Sequence, residues 1–147
     1  MEIIIQDHIQ EPLFEAIEEL EKITFPDSYR RRHFRSRFPS KKNPLCFFAF
    51  EGENLIAYKV GYEFEPDLFY SWVGGVHPNH RRQGLAAQLM ESQHKKLKEL
   101  GYKRVRTKTR NYNNPMIMLN LKSGFEIIGT NTKAGVAGLV ILMEKTL

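Results

Sequence analysis

Apolar residues recur along the chain at spacings of two or of about 3.6 residues, and this pattern divides it into short strands and helices. Glu2 to Gln6 reads as a short strand. Pro12 then opens a helix, where its missing N–H costs nothing. Leu13, Ala16, Ile17, Leu20 and Ile23 or Thr24 give that helix one apolar face, and it should stop before Pro26. Asp27 or Ser28 is suited to cap a second, shorter helix through Phe38, with Phe34 and Phe38 on one side. Leu45 to Glu51 and Leu55 to Tyr62 read as strands joined by the hairpin connection Glu51-Gly52-Glu53-Asn54. Leu68 to Val76 is the next strand. The Gly74-Gly75 pair near its end predicts either a bulge or close approach by a ligand.

The second half of the chain continues the pattern. A long helix is predicted from Gly84 to Leu100, with Ala86, Leu89, Met90, Gln93, Leu97 and Leu100 buried and His94, Lys95, Lys96 and Lys98 outside. Gly101 ends it. From Lys103 to Arg110 alternation is strict: Val105, Thr107 and Thr109 on one face, Arg104, Arg106, Lys108 and Arg110 on the other. Asn113 or Asn114 caps a further helix with Pro115 in its first turn, and Gly124 ends it. Phe125 to Thr130 and Leu139 to Lys145 are the last two strands, linked by a small, polar stretch from Asn131 to Gly138. The order β-α-α-β-β-β-α-β-α-β-β predicts an α/β fold, a mixed sheet with helices on its faces. A helical crossover between strands 68–76 and 103–109 implies that these two are parallel.

Composition narrows the class without choosing a function. At 147 residues, a single domain spanning 1–147 is expected. The chain is 41% hydrophobic and 27% charged, as in ordinary soluble proteins. No apolar run approaches the roughly 20 residues of a membrane span, so no membrane partner is expected. The N-terminus lacks the basic and apolar segments of a signal peptide. The lone Cys46 sits in an apolar strand and reads as a buried thiol, and a reducing, cytoplasmic setting fits. A net charge of +5 favours an anionic partner. Arg30, Arg31, Arg32, Arg35, Arg37, Lys41 and Lys42 crowd one stretch, readable as a solvated basic face or as a rim that recruits an acidic acceptor or RNA. Nucleic acid is the weaker expectation, because few aromatics interleave with these charges.

The stretch Val76 to Ala86 carries the clearest chemistry. A strand ends at Pro78, a basic turn follows, and a helix begins after Gly84. This order delivers free backbone N–H groups to a positively polarised helix end, where anions and especially phosphates bind. Arg81 and Arg82 add charge and forked donors. A Gly-containing strand-turn-helix joint with a solvated Arg is the plain alternative.

On these residues the chain resembles the GNAT family of N-acetyltransferases over essentially its whole length. One family signature appears as Val76-His77-Pro78 followed by Arg81-Arg82-Gln83-Gly84-Leu85-Ala86; a second runs from Asn113 to Gly124-Phe125. The resemblance implies a GNAT-like fold of about seven strands and about four helices, with a splayed parallel strand pair. It implies acetyl-CoA as donor, with pyrophosphate held by backbone amides of about Arg82 to Ala87, Leu85 and Ala86 included. Gly75 and Val76, leading into His77 and Pro78, would pair with the pantetheine arm, which Asn113 would also contact.

The chain departs from the family at Asn120, which stands where many members carry a Tyr that protonates the leaving thiolate. Asn cannot act as an acid. It can hold a water or bond the sulfur, and Tyr112 is another candidate. The strand Leu68 to Val76 has no carboxylate, so Glu63 is the candidate base, with a solvated acidic turn as the plain reading. His77 and His80 lack metal-ligand spacing, and no metal is expected. The resemblance thus implies transfer of an acetyl group to a primary amine of a small molecule, peptide or protein. If Lys108 and Arg110 face the cleft, the acceptor carries an acidic group. The alternative is a non-catalytic acyl-CoA-binding or RNA/protein-docking module. The apolar last strand offers an edge for a homodimer.

Overall fold

The computed structural model describes residues 1–25, 30–132 and 138–147, the side chains of 30–33 excepted. Among them the element order is the predicted one: β1 (Glu2–Gln6), α1 (Glu11–Thr24), α2 (Arg30–Arg37), β2 (Leu45–Glu51), β3 (Asn54–Glu65), β4 (Leu68–Val76), α3 (Leu85–Glu99), β5 (Arg104–Arg110), α4 (Asn114–Lys122), β6 (Glu126–Asn131) and β7 (Val140–Thr146). The cap expected of Asp27 or Ser28, and most of the link from Asn131 to Gly138, lie outside the described residues.

The strands form one sheet in the order β1-β2-β3-β4-β5-β7-β6. All neighbours are antiparallel except β4 and β5, which the α3 crossover makes parallel. One face is covered by α1 and α2 through a core that includes Phe14, Ile17, Leu20, Phe34, Phe48 and Val60. On the other, Leu85 and Leu89 of α3 pack on Phe47 and Ile56, and Met90 and Leu97 pack with Phe69, Val105 and Met143. Cys46 is buried, and that burial pushes its thiol up to about 12, which leaves it an inert core residue.

Several details differ from the pattern-based expectation. The buried stripe of α1 is Phe14, Ile17, Leu20 and Glu21, while Ile23 is exposed, because packing on the sheet selects a face rotated toward Phe14. In α3, Leu100 is exposed and His94 is buried. The bulge falls opposite Val60 and Gly61, where Val60 pairs with Val73 and Gly61 with Ser71, so the extra residue is Trp72 rather than a glycine. Gly61 is needed there: a Cβ would lie 2.5 Å from the Tyr70 carbonyl oxygen. The last strand, β7, is interior, hydrogen-bonded to β5 and β6 on its two sides, so it offers no edge for a dimer; β1 and β6 are the edges.

His94 is held neutral in the fold. Burial first, then the Lys145 and Lys59 charges, push it down to about 3, and Lys145 Nζ lies 3.2 Å from its Nδ1. A base depressed from its ordinary 6.5 binds more protons when unfolded, so stability falls as pH drops below that value. Acidification from pH 6.5 to 5 should cost about 2 kcal/mol through this group. Thermal unfolding followed across that range should show the slope, and His94→Gln should flatten it.

Candidate active-site cleft

β4 and β5 lie side by side for only part of their length. Their register runs from Leu68–Arg104 to Ser71–Thr107 and ends there. Beyond it β4 stays with β3 as far as Ala57–Val76, and β5 stays with β7 as far as Arg110–Val140. The sheet forks. At the fork the Thr107 hydroxyl donates to the Ser71 carbonyl at 3.1 Å. The bulge at Trp72 bends β4 away and changes which way its backbone faces. His77 N–H donates back to the Ile56 carbonyl at 2.8 Å. Alternation along the strand therefore turns the polar backbone groups of Gly74 and Val76 toward the fork.

A cleft of about 900 Å³ fills the fork and opens to both faces of the sheet. Thr24, Phe25, Arg37 and Lys41 line it from one face; Ala86, Leu89, Met116 and Leu119 line it from the other. It continues into a hollow of about 190 Å³ at the start of α3, and Val76, Arg81, Ala86 and Leu119 border both.

The sequence builds this second hollow from a strained turn. Pro78–His80 forms a short 3-10 turn, and His77 Nδ1 accepts from Asn79 N–H at 3.1 Å. Arg81 Nε donates to the Val76 carbonyl at 3.4 Å. Arg82 and Gly84 both take left-handed backbone angles, φ 63° and 77°. Glycine does so freely, whereas Arg82 gives up roughly 1–2 kcal/mol, a cost that tends to collect at ligand-binding turns. Gly84 caps α3 without a side-chain bond, and the first turn holds no acid. The first helical bond runs from Gln88 N–H to the Gly84 carbonyl at 3.0 Å, so the amides of Leu85, Ala86 and Ala87 have no helical acceptor. Such an end suits an anion.

Of the predicted binding residues, Gly75, Val76, Arg81, Arg82, Gly84, Leu85, Ala86, Ala87 and Asn113 line one hollow or the other. Asn113 also caps α4, accepting from Met116 N–H at 3.4 Å. His77, Pro78 and Gln83 line neither and shape the turn. His80 borders the smaller hollow with its Nε2 3.6 Å from Glu51.

The candidate catalytic groups do not gather with them. Glu63 points to the opposite face from Tyr62, its neighbour in the cleft lining. It is held by Lys42 at 2.9 Å and by the Asn43 amide and Tyr102 hydroxyl, each at 3.2 Å. Lys42 foremost and then Asn43 hold its carboxyl below the usual range, which weakens it as a base. Asn120 is fully buried behind β5, donating to the Thr109 hydroxyl at 3.1 Å and to the Met143 sulfur at 3.6 Å. Tyr112 is 73% exposed and lies outside the cleft lining.

Lys108 and Arg110, expected at the cleft, line it together with Tyr58, Lys59, Tyr62, Tyr70 and Trp72. Tyr58, buried in β3, donates its hydroxyl to buried Glu21 of α1. Lys59 lies in the lining, and burial pushes it down to about 8, so it is mostly charged at pH 7. Tyr62, Tyr70 and Trp72 form a floor of ring contacts, with Lys41 over Tyr62 and Trp72 and Lys108 over Tyr70. No Asp or Glu is among the described lining residues. The basic stretch is divided. Arg35 pairs with Glu11 and Glu18 of α1, Lys42 with Glu63, and Arg37 and Lys41 face the cleft; the side chains of Arg30, Arg31 and Arg32 lie outside the described residues. Among the described residues no group of three His, Cys, Asp or Glu could hold a metal, and no helix is long and apolar enough to cross a membrane.

A model of the acetyltransferase (GNAT) family matches residues 14–125. Among solved structures, the ribosomal-protein-S18-alanine N-acetyltransferase of Escherichia coli superposes with a TM-score of 0.83 at 19% identity, over 99% of this chain and 94% of that one. An aminoglycoside 6'-N-acetyltransferase complexed with coenzyme A gives 0.80 at 14% identity, over 99% and 97%. A GNAT acetyltransferase of Elizabethkingia anophelis with acetyl-CoA bound gives 0.77 at 18%, over 99% and 98%. At these identities the likeness is one of fold. No match was found among curated protein sequences.

The placement of Glu63 and Tyr112 has a direct consequence. Glu63→Gln should lower the melting temperature, since it weakens the ties to Lys42 and Asn43, while coenzyme A affinity by calorimetry stays within about twofold. Tyr112→Phe should change neither quantity.

Proposed function

The chain belongs to the GNAT acetyltransferase family, and from that premise we propose that it transfers an acetyl group from acetyl-CoA to a primary amine by direct attack. The observation that carries this reading is the continuity of two features: a fork between parallel strands and an uncapped helix end bordered by Arg81 and Arg82. The hollow at α3 suits a pyrophosphate, with amides of Leu85 to Ala87 and the two guanidinium groups as donors. The fork suits an extended amide-bearing arm, because Val76 offers backbone donors and acceptors there as a strand edge does. These residues fit acetyl-CoA.

When bound, acetyl-CoA supplies an activated thioester: the amine lone pair forms the new C–N bond as the C–S bond breaks. The chain's own groups prepare that exchange. The Gly74 N–H, facing the fork, donates to the carbonyl oxygen as negative charge develops on it. A Cβ at Gly74 would lie 3.1 Å from the Tyr58 carbonyl oxygen, so glycine there lets β4 stay close to β3 alongside the fork. The amine must be neutral to attack. Its proton leaves through Tyr58, whose hydroxyl lies in the cleft wall and donates to the buried Glu21 carboxylate. Asn120, sealed behind β5, takes no part, and thiolate is stable enough to depart and take its proton from water.

A second reading, a coenzyme A-binding module without turnover, is favoured by that buried Asn120 and by the absence of carboxylates in the described lining. Acceptor-stimulated thiol release separates the two. The purified chain should bind coenzyme A by calorimetry, and the Arg81→Glu/Gly84→Glu double variant should lose that binding. Unchanged affinity would overturn the site assignment. With an accepted amine, Glu21→Gln should lower kcat about 10- to 100-fold at pH 7 and less at pH 9, where more of the amine is already neutral. A uniform loss at both pH values would remove Glu21 from the proton path.

A further inference from the structure

We infer that the acceptor is an amine that also carries an anionic group, a carboxylate or phosphate, and that this group is held by Arg37, Lys41 and Lys108 above the Tyr62–Trp72–Tyr70 floor. The inference deepens the acetyltransferase reading and rests on it for the identity of the site.

The floor is continuous. Trp72 contacts Phe34 at 5.2 Å and Tyr62 at 5.8 Å, and Tyr62 contacts Tyr70 at 5.5 Å between ring centroids. Two ammonium groups sit over it: Lys41 Nζ is 4.6 Å from the Tyr62 ring and 4.9 Å from the Trp72 ring, and Lys108 Nζ is 6.0 Å from Tyr70. Arg37, one helical turn beyond Phe34, borders the same space. Rings hold cations only weakly at exposed sites and do not neutralise them.

The contrast along β5 is informative. Its basic face begins with Arg104 and Arg106, and both are neutralised: Arg104 lies near Glu65, Asp67 and Glu144, and Arg106 Nη2 is 2.8 Å from Glu144. Two residues further, where the strand enters the fork, Lys108 has no carboxylate partner among the described residues. Among the described residues, carboxylates thus pair with the basic face up to the fork, and none lines the cleft inside it. The pattern of cations without counter-charges suits a bound anion and repels a second positive charge on the acceptor. Polyamines, polycationic aminoglycosides and lysine-rich peptides are therefore poor acceptors, whatever proteins of the same fold accept. The aromatic floor favours an acceptor with a flat or apolar body between its amine and its acid.

Trp72 is the only tryptophan in the chain, so its fluorescence reports occupancy of this subsite without any need for turnover. With coenzyme A present, the chain is titrated with two matched pairs, 4-(aminomethyl)benzoate against its amide and O-phosphoethanolamine against ethanolamine, and with spermidine. At least one anion should bind about tenfold or more tighter than its neutral partner, with affinity falling as salt rises. The stronger pair tells carboxylate from phosphate. In Lys41→Glu/Lys108→Glu, two solvent-accessible positions, that preference should vanish or reverse while coenzyme A affinity stays unchanged; Lys108→Gln should give a partial loss. Equal binding within both pairs, or tightest binding by spermidine, would overturn the inference. Loss of coenzyme A binding in the unaltered chain would instead overturn the acetyltransferase reading and leave the fluorescence comparison standing.

Discussion

Parallel strands that separate before they end leave backbone donors and acceptors facing a gap, and a buried, unpaired amide is costly. β4 and β5 do this after Ser71 and Thr107. Much else in the molecule either produces that opening or surrounds it. The bulge at Trp72 bends one strand, and each diverging strand keeps its outer partner, β3 or β7, so the sheet forks without unravelling. The crossover helix α3 begins beside the mouth of the fork, and its own first amides have no acceptor within the helix. Two sets of backbone groups that lack strand or helix pairing, one from the sheet and one from α3, therefore border a single space. A ligand that is anionic at one end and amide-like along its length satisfies both.

The two faces of the fork differ in chemistry. On the α3 and α4 side the walls are mostly small or aliphatic, Ala86, Leu89, Met116 and Leu119 with Lys59 beside them, and lead to the arginines of the turn. On the α1 and α2 side they are aromatic and basic, with the Tyr58–Glu21 pair set into the wall. The division follows from strand alternation: Tyr58 and Tyr62 turn to one face while Lys59 and Glu63 turn to the other. It also explains why Glu63, close to Tyr62 in sequence, has no access to the cleft.

How much of this was legible in the chain depended on the range of the interaction concerned. Strand and helix boundaries follow from local spacing, and the observed elements agree with the expected ones to within a few residues. The turn from Val76 to Ala86 was legible for the same reason: Pro78 and Gly84 act on their own backbone. Where a face had to be chosen, local spacing was insufficient. Ile23 and Leu100 fit an apolar stripe yet are exposed, and Glu21 and His94 break it yet are buried, because the sheet beneath sets the orientation of each helix. The Gly74-Gly75 pair fits either a bulge or close approach by a ligand, but the bulge's position is set by how β3 and β4 align, and it falls at Trp72.

The sequence by itself determined the order of elements, the parallel pair and the anion-receptive start of α3, since each depends on spacing or on residues a few positions apart. It also carried the family resemblance. Only the tertiary structure decided which charged groups meet. Arg35 finds Glu11 and Glu18, Arg106 finds Glu144, Tyr58 finds Glu21, and Lys108 finds, among the described residues, a ring and no carboxylate. These partners lie from 17 to 38 positions apart in the chain. A charge acts over a few ångströms of space, and the fold alone determines which parts of the chain come that close.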